Sequence, residues 1–333
     1  MGINAYNIAI DSGKWGTKSV YKIGGVLDRQ LLRTKVQLAK DLDVDIVSSG
    51  SFLVEFEGVK WLVGSMVGEE RTNFDLTKHS STHQLAIYLS IAQMFNRLGW
   101  TPSDPIPGVN LVINAPFNMY KNAQAKTSYA DFVQNGHKPV SIRVNGKPFT
   151  FLVHMVVIAP EGTGPIYSHM DDFRRTRAHV FDIGSLNVNI ATYEKLVPKL
   201  DSMVVGNLGT SLLKANIQQS LSSRYGVAVS EDDAQLALEE QVFSRNGSRQ
   251  PQSTTLIRDK MRDHVEAIVN FAKGQGLTLN STLVWAGGGS VLLKPIITSL
   301  FPHGVVDSAG SFSNVMSFYN ILEAKCGVES RVR

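Results

Sequence analysis

The chain has 333 residues, of which 43% are hydrophobic and 19% are charged, which is the balance of a globular protein rather than a disordered one. A single hydrophobic core seldom grows beyond about 250–300 residues, so this length predicts two domains. The formal net charge of +4 includes no long basic block, because the densest basic stretch is RRTR at 174–177. We therefore expect no direct sequence-specific binding of DNA.

No apolar run reaches the roughly 18 residues that a membrane span needs, since FLVHMVVIAP at 151–160 is short and contains His154. The start of the chain lacks the basic segment and apolar stretch of a secretion signal. The single cysteine, Cys326, excludes an internal disulfide and a cysteine-rich zinc site. These observations predict a cytoplasmic protein without a membrane partner.

The first predicted elements are hairpins. Residues 6–10 and 17–22 are expected to pair around a glycine turn, and FLVEF with KWLVG to pair around Glu57-Gly58. A third hairpin, VSIRVNGKPFTFLV, is centred on Asn145-Gly146, a favoured two-residue turn.

Helices and a buried strand separate these hairpins. An apolar helix is predicted over about 82–98, with Ser81 or Thr82 as its N-cap and Gly99 at its end. The run VNLVINAP at 109–116 predicts a buried strand, and a polar helix follows it. Strands that alternate with helices favour a mixed sheet covered by helices.

The pattern then starts a second time. An apolar strand ends at Asp182, Gly184 follows, and a second strand comes next, just as Asp11 and Gly13 stand between the first two predicted strands. This repetition predicts an internal duplication. The second half continues with helices after GNLG, after Ser230 and over about 254–273, a polar loop SRNGSRQPQS, the strand STLVW before AGGGS, the strand HGVVDS, and a last helix capped by Ser311 or Ser313.

The two Asp-x-Gly turns and the segment AGGGS carry the functional signal. One such turn at a strand end is usually structural, because Asp and Gly are common in turns for backbone reasons. Two turns that face each other would point backbone N–H groups at an anion, and their carboxylates could hold hydrated magnesium. Three glycines at a helix start let the backbone approach a ligand, although a simple strand-to-helix turn explains them as well. Neither a dinucleotide fingerprint nor a P-loop occurs.

The ordered set Asp-x-Gly-x4-Lys at 11–18, APEGTGPIY at 159–167, Asp-x-Gly at 182–184, GNLGTS at 206–211 and AGGGS at 286–290 resembles the actin-like ATPase superfamily. Within it, the chain is similar to the bacterial plasmid-segregation, ParM-like branch. The resemblance implies an α/β, duplicated ribonuclease H-like fold of two domains with nucleotide in the cleft between them. Domain I would span 1–172 with the C-terminal helix of 306–333 packed back on it, and domain II would span 173–305.

The resemblance also implies roles for individual residues. Glu161 would orient the attacking water, Asp11 and Asp182 would hold magnesium, and Asp182 would also take part in catalysis. Residues of the turns would bind ATP, or GTP: Ser12, Gly13, Lys14, Gly16, Thr17 and Lys18 in the first phosphate loop, Gly184, Ser185 and Asn187 in the second, Gly206, Gly209 and Thr210 near the sugar and base, and Gly287, Gly288, Gly289 and Ser290 against the adenosine.

Two departures from the family pattern stand out. Asn187 and Asn189 occupy positions where relatives carry hydroxyl or acidic residues, and an amide cannot supply negative charge to a metal. Lys14 and Trp15 are bulkier than usual for the first loop.

The resemblance implies ATP-driven filaments that move plasmid DNA through an adaptor protein bound to its centromere. Two alternatives stay open at this stage. One is a small-molecule kinase of the same superfold, in which Glu161 would serve an acceptor hydroxyl. The other is a nucleotide-gated binding protein, for which the tail GVESRVR is too short and polar to anchor a membrane.

Overall fold

The computed structural model describes residues 5–39, 47–71 and 78–329. The last four residues of the tail GVESRVR lie outside these ranges. Contacts divide the chain into a first unit, Met1–Glu161 with Asn314–Arg333, and a second unit, Gly162–Ser313. The domain boundaries at 172/173 and 305/306 stay a prediction.

A single mixed sheet forms the centre of the first unit, in the order β3-β2-β1-β7-β9-β8-β5-β6-β4. Its strands are β1 (Ala5–Ser12), β2 (Gly16–Ile23), β3 (Val26–Arg33), β4 (Val36–Leu38), β5 (Ser51–Phe56), β6 (Val59–Gly64), β7 (Gly108–Ala115), β8 (Val140–Val144) and β9 (Lys147–Pro160). β1, β2 and β3 pair antiparallel, whereas β7 runs parallel to both β1 and β9. The three predicted hairpins of this unit are therefore confirmed.

The second unit repeats this arrangement. Its main sheet has the order β12-β11-β10-β15-β16, formed by β10 (Arg177–Ile183), β11 (Val188–Glu194), β12 (Val197–Gly206), β15 (Thr282–Ala286) and β16 (Val305–Val306). Again the first three strands are antiparallel and the last two continue in parallel from β10. The same strand order and directions occur in β3-β2-β1-β7-β9, so the duplication predicted from the Asp-x-Gly turns is confirmed.

Helices pack against both sheets. They are α1 (Ser81–Arg97), α2 (Phe117–Tyr120), α3 (Ala123–Val133), α4 (Gly164–Ser168), α5 (Met170–Phe173), α6 (Thr210–Tyr225), α7 (Glu231–Glu240), α8 (Ser253–Gly274), α9 (Gly287–Leu292), α10 (Lys294–Leu300) and α11 (Ser313–Glu329). In the first unit, α1 contributes Ile87, Tyr88 and Ile91 to the core. In the second, Trp285 of β15 stacks on Phe181, with ring centroids 4.5 Å apart.

The C-terminal helix α11 lies mainly within the first unit. Glu323 forms an ion pair with Lys22 of β2, and the Lys22 ammonium stands 5.6 Å from the centroid of the Tyr319 ring. The Cys326 thiol is 3.7 Å from the Asn110 amide nitrogen of β7. Residues from the end of the chain thus cover the sheet formed by its beginning.

Three local predictions need correction. The N-cap of α1 is Ser80, not Ser81 or Thr82, because the Ser80 hydroxyl accepts the His83 N–H. The stretch predicted as the loop SRNGSRQPQS contains a short hairpin, β13 (Phe243–Arg245) with β14 (Ser248–Gln250). Its turn, Asn246-Gly247, has positive φ at both residues, which matches the right-handed twist of paired strands.

The glycines of AGGGS lie at the start of α9, as the sequence predicts. The third correction concerns the end of the second unit. The strand predicted from HGVVDS is reduced to Val305–Val306. None of the helices within residues 5–39, 47–71 and 78–329 combines the length and hydrophobicity that crossing a bilayer requires.

Replacing Leu111 by Ala tests whether β7 is an interior strand of the sheet in the first unit. Leu111 is fully buried between β1 and β9, so the substitution should lower the free energy of unfolding by about 2–5 kcal/mol. Leu31 of the edge strand β3 is 45% exposed, and Leu31→Ala is the matched control with a much smaller expected loss. Equal losses for the two variants in urea titrations would contradict this arrangement.

Candidate functional site

The first Asp-x-Gly turn places an acid and a base opposite each other. Asp11 is the last residue but one of β1, and antiparallel pairing puts it directly across from Lys18 of β2. The Lys18 ammonium lies 3.7 Å from the Asp11 carboxylate, and both side chains are largely buried. The seven-residue spacing seen in the sequence is therefore the register of a tight hairpin.

Burial raises the pKa of the Asp11 carboxyl above its ordinary value, and the negative charge of Glu161 acts in the same direction. The ammonium groups of Lys18 and Lys78 oppose this shift. Asp11 is thus a desolvated carboxylate that depends on neighbouring cations for its charge. An additional cation bound beside Asp11 would stabilise the ionised form of this carboxylate.

Two residues that we did not select from the sequence hold the start of the turn. The Ser12 N–H donates to the Asn114 side-chain oxygen at 2.9 Å, and the Lys78 ammonium donates to the Ser12 carbonyl at 2.8 Å. Both partners also reach Glu161: the Asn114 amide donates to Glu161 Oε1 at 2.8 Å, and Lys78 Nζ lies 3.5 Å from the same oxygen. Glu161 and Ser12 are thereby joined through two side chains.

Sequence signals for these two residues differ. Asn114 is a fully buried amide at the end of the apolar run VNLVINA, and a buried polar group at a strand end is a recognisable signal. Lys78 stands just ahead of α1 with no local pattern around it. Its 5% exposure and its contacts to Ser12 and Glu161 become evident only in the folded chain.

The Ser12 side chain belongs to a buried network of hydroxyl groups and one histidine. Ser12 Oγ lies 3.4 Å from Thr17 Oγ1, and Thr17 Oγ1 lies 3.1 Å from Thr34 Oγ1. His83 contacts Ser12 Oγ through Nδ1 at 3.3 Å and the Tyr129 hydroxyl through Nε2 at 2.7 Å. Both ring nitrogens of this buried histidine are therefore engaged by hydroxyl groups.

Lys14 and Trp15 occupy the outer side of the turn. The Arg33 guanidinium of β3 stands 4.1 Å from the centroid of the Trp15 ring and donates to the Trp15 carbonyl at 3.2 Å. Arg33 also pairs with Glu69 at 2.6 Å. Lys14 lines a shallow depression together with Thr34, Val36, Arg71, Thr82 and His83. Trp15 is thus anchored to the neighbouring strand β3.

Glycines in the first turn lie in close contact with neighbouring groups. A Cβ on Gly13 would lie 3.0 Å from the Gly16 carbonyl and 3.2 Å from the Lys18 ammonium. A Cβ on Gly16 would lie 3.2 Å from the Leu32 carbonyl. These glycines therefore let the turn fold over the Asp11–Lys18 pair.

In the second unit, Asp182 takes the position that Asp11 has in the first. It is buried near the end of β10 and faces Asn189 of β11, where the first unit has Lys18. Gly287 lies against its carboxylate, because a Cβ there would come within 2.4 Å of Asp182 Oδ1. Gly287 has φ of +80°, a conformation that favours glycine.

The second predicted loop is hydrogen-bonded to the start of α6. The Thr210 N–H donates to the Gly184 carbonyl at 3.0 Å, and the Ser211 N–H donates to the Ser185 carbonyl at 2.8 Å. The Gly184 N–H donates to the Asn187 carbonyl at 2.9 Å. The structure therefore brings Gly184, Ser185 and Asn187 together with Gly209 and Thr210.

Three other predicted residues have clear local roles. Gly206, at the end of β12, packs against Phe271 of α8, since a Cβ would lie 2.8 Å from the ring. Ser290 is fully buried and donates to the Gly287 carbonyl at 2.8 Å. Gly289 packs on Ile183 and Thr210, whereas a Cβ on Gly288 would meet only Ser311, at 3.7 Å.

The donor set around each turn bears on the magnesium prediction. Within the described residues, no group of three or more His, Cys, Asp or Glu side chains is arranged to hold a metal ion. Magnesium typically takes one or two carboxylates, with water and phosphate oxygens as its other ligands. The buried carboxylate at each Asp-x-Gly turn, Asp11 in the first unit and Asp182 in the second, is a ligand of this kind.

Residues 9–164 match the family of actin-like protein N-terminal domains. The matched range is a little under half of the chain, and over it the chain resembles actin-like N-terminal domains. The range contains the first Asp-x-Gly turn, Asn114 and Glu161. No curated protein matches the chain.

Solved structures extend the actin-like assignment of the fold to the whole chain. An archaeal actin homologue, Ta0583, has a TM-score of 0.74 and 16% identity, covering 96% of this chain and 99% of that one. A 15-stranded ParM filament from Clostridium botulinum gives 0.73 and 18%, covering 97% and 100%. An AlfA filament from a B. subtilis plasmid gives 0.63 and 17%, covering 94% and 97%. The actin-like fold class predicted from the sequence is confirmed.

His83 should make the stability of the first unit depend on pH. Burial holds the pKa of His83 well below 6.5, and the charges of Lys78, Lys14 and His79 lower it further. The unfolded chain binds a proton that the folded chain excludes, so the free energy of unfolding falls as pH drops below 6.5, by about 1.4 kcal/mol per pH unit.

The His83→Gln variant should remove this contribution, leaving the smaller dependence from His179 and His264, whose pKa values burial also lowers. Urea unfolding at several pH values between 5 and 7 measures the slope, as roughly one proton fewer taken up on unfolding. An unchanged slope in His83→Gln would contradict the neutral, buried state of this histidine.

Proposed function

We propose that this chain is an actin-like nucleoside triphosphatase that binds ATP, or GTP, with magnesium and assembles into filaments. The observation that supports it most is the cluster at the first turn, where Asp11, Lys18 and Glu161 lie together at one edge of the sheet. These are three of the residues to which the family resemblance gives metal, phosphate and water-orienting roles.

Phosphate binding would use a cation and backbone amides. Lys18 is held by Asp11, so its ammonium is fixed in place before any ligand arrives. A fixed ammonium stabilises phosphate oxygens without further ordering of a flexible side chain. Ser12, Gly13, Lys14, Gly16 and Thr17 complete this loop. In the second unit, the loop Gly184, Ser185 and Asn187 would act in the same way, with Gly206, Gly209, Thr210, Gly287, Gly288, Gly289 and Ser290 next to the nucleoside.

Glu161 would orient the water that attacks the terminal phosphate. It follows Pro160 at the end of β9, and its N–H donates to the Ala115 carbonyl at 3.1 Å, which fixes the backbone at this corner. A carboxylate held in this way can accept a hydrogen bond from water and aim it in line with the bond to be broken. Asp11, at the turn of the first unit, and Asp182, at the turn of the second, are each a candidate carboxylate ligand for magnesium, which would neutralise the charge that develops on the phosphate.

Filament assembly is supported by the fold. The ParM protein from Clostridium botulinum and AlfA, whose folds match, are filament structures. By analogy we propose that this chain polymerises in a cytoplasm and acts on plasmid DNA through an adaptor bound at the centromere. No direct contact with DNA or a membrane is part of this proposal.

Replacing Glu161 by Gln tests the hydrolytic role. Gln keeps the side-chain length and the oxygen that accepts from Asn114, but it loses the negative charge. We expect phosphate release from ATP, with no added acceptor, to fall by about 10²-fold, the usual contribution of a general base. Nucleotide affinity, measured by titration calorimetry, should stay within a small factor.

The control is Glu57→Gln, because Glu57 is an exposed turn residue of the same unit. Unchanged phosphate release in Glu161→Gln would remove Glu161 from its proposed role. Phosphate release that requires an added small-molecule acceptor would support the kinase alternative instead.

Sedimentation tests the assembly proposal. The chain is expected to pellet at high speed with ATP or GTP and magnesium, and to remain in the supernatant without nucleotide, because nucleotide favours the assembling state. Electron microscopy of the pellet would identify filaments. Absence of polymer with every nucleotide, at concentrations well above those used for hydrolysis, would exclude filament formation by this chain alone.

A further inference from the structure

We propose that Lys78 and Asn114 are positioning residues that couple the first phosphate loop to Glu161. This inference rests on the proposed function, since it assigns Glu161 the water-orienting role. It differs from that proposal because it concerns two residues that no family motif selects. Lys78 and Asn114 would act on Glu161 and on the Ser12 backbone without touching the reacting atoms.

The geometry is that of a closed ring of contacts. Asn114 accepts from the Ser12 N–H and donates to Glu161 Oε1, at 2.9 Å and 2.8 Å. Lys78 donates to the Ser12 carbonyl at 2.8 Å and lies 3.5 Å from the same Glu161 oxygen. Two separate side chains therefore connect the backbone N–H and carbonyl of one loop residue, Ser12, to one oxygen of the carboxylate.

Burial makes this ring stiff. Asn114 is 1% exposed and Lys78 is 5% exposed, so neither side chain can exchange its protein contacts for water without an energetic penalty. A buried ammonium also requires its counter-charges, here Glu161 with Asp11 close by. A shift of Ser12 would disturb both contacts to Glu161 together.

The consequence for catalysis is conformational coupling. When phosphate groups settle against the first loop, any movement of Ser12 is passed to Glu161 through Asn114 and Lys78. The carboxylate would then reach its working orientation only when the loop is in its bound position. A merely structural role would instead keep the fold intact without a specific effect on the hydrolytic step.

A double-mutant cycle on hydrolysis is the first test. Lys78→Met keeps side-chain length and removes charge, and Asn114→Asp keeps the acceptor for Ser12 while losing the donor to Glu161. Each should lower kcat by about 10–100-fold, the usual effect of an outer-shell partner, with KM for the magnesium nucleotide within about threefold. In the Glu161→Gln background, each should lower kcat by less than about threefold further, because residues that act as one unit are not additive.

The second test needs no nucleotide. Amide hydrogen exchange at Ser12 should become faster by about tenfold or more in Glu161→Ala, because Asn114, which accepts the Ser12 N–H, and Lys78 both contact Glu161. Glu57→Ala is the matched control and should leave Ser12 exchange unchanged. Should Lys78→Met fail to fold, Asn114→Asp and this exchange measurement carry the test.

The outcomes separate the two proposals. Equal losses of kcat in the wild-type and Glu161→Gln backgrounds would overturn the coupling while leaving the triphosphatase function intact. A rise in KM with unchanged kcat in Lys78→Met and Asn114→Asp would overturn it as well. So would a Ser12 amide exchange rate that is the same in Glu161→Ala as in the wild type. A wild-type chain that binds no nucleotide would overturn the proposed function and with it the catalytic meaning of the ring.

Discussion

The parallel pairing of β1, β7 and β9 is the constraint on which the candidate site depends. Parallel strands bring their carboxyl ends to one edge of a sheet, and ligands of open α/β folds bind outside that edge. Here the register sets Ser12, Asn114 and Glu161 side by side, although 102 residues separate the first two and 47 separate the last two. Any slip between these strands would separate the Asp11 turn from Glu161 and leave buried polar groups without partners.

The two units share a topology but differ in their chemistry at equivalent positions. Asp11 faces an ammonium across its hairpin, whereas Asp182 faces the amide of Asn189. An ammonium compensates the charge of a buried carboxylate and also attracts phosphate. An amide is neutral and can offer only hydrogen bonds to either group. Duplication has therefore preserved the carboxylate at the end of each first strand and changed what stands opposite. The first unit carries the larger share of fixed positive charge at its turn.

Local signals explain what the sequence could predict. The hairpins at Glu57-Gly58 and Asn145-Gly146 follow from turn residues with positive φ, and the repeated Asp-x-Gly turns were enough to predict the duplication. The same signal at Asn246-Gly247 was hidden by its polar surroundings. Lys78 could not be predicted, because its importance arises from contacts with Ser12 and Glu161 that only tertiary packing creates. The sequence does not identify the N-cap of α1 uniquely, because Ser80, Ser81 and Thr82 are all residues that favour this position.

Trp15 now has a physical explanation as part of a loop that is fixed from two sides. On the outer side, Arg33 stacks on Trp15, binds its carbonyl and is itself held by Glu69, whose buried carboxylate keeps a lowered pKa because Lys35 and Arg33 donate to it. On the inner side, Asn114 and Lys78 hold the two polar groups of the Ser12 backbone. A loop ordered in advance loses little conformational entropy when an anion binds, so more of the contact energy appears as affinity. Trp15 thus has the same effect as the glycines of this turn: it helps to fix the backbone around Asp11 and Lys18.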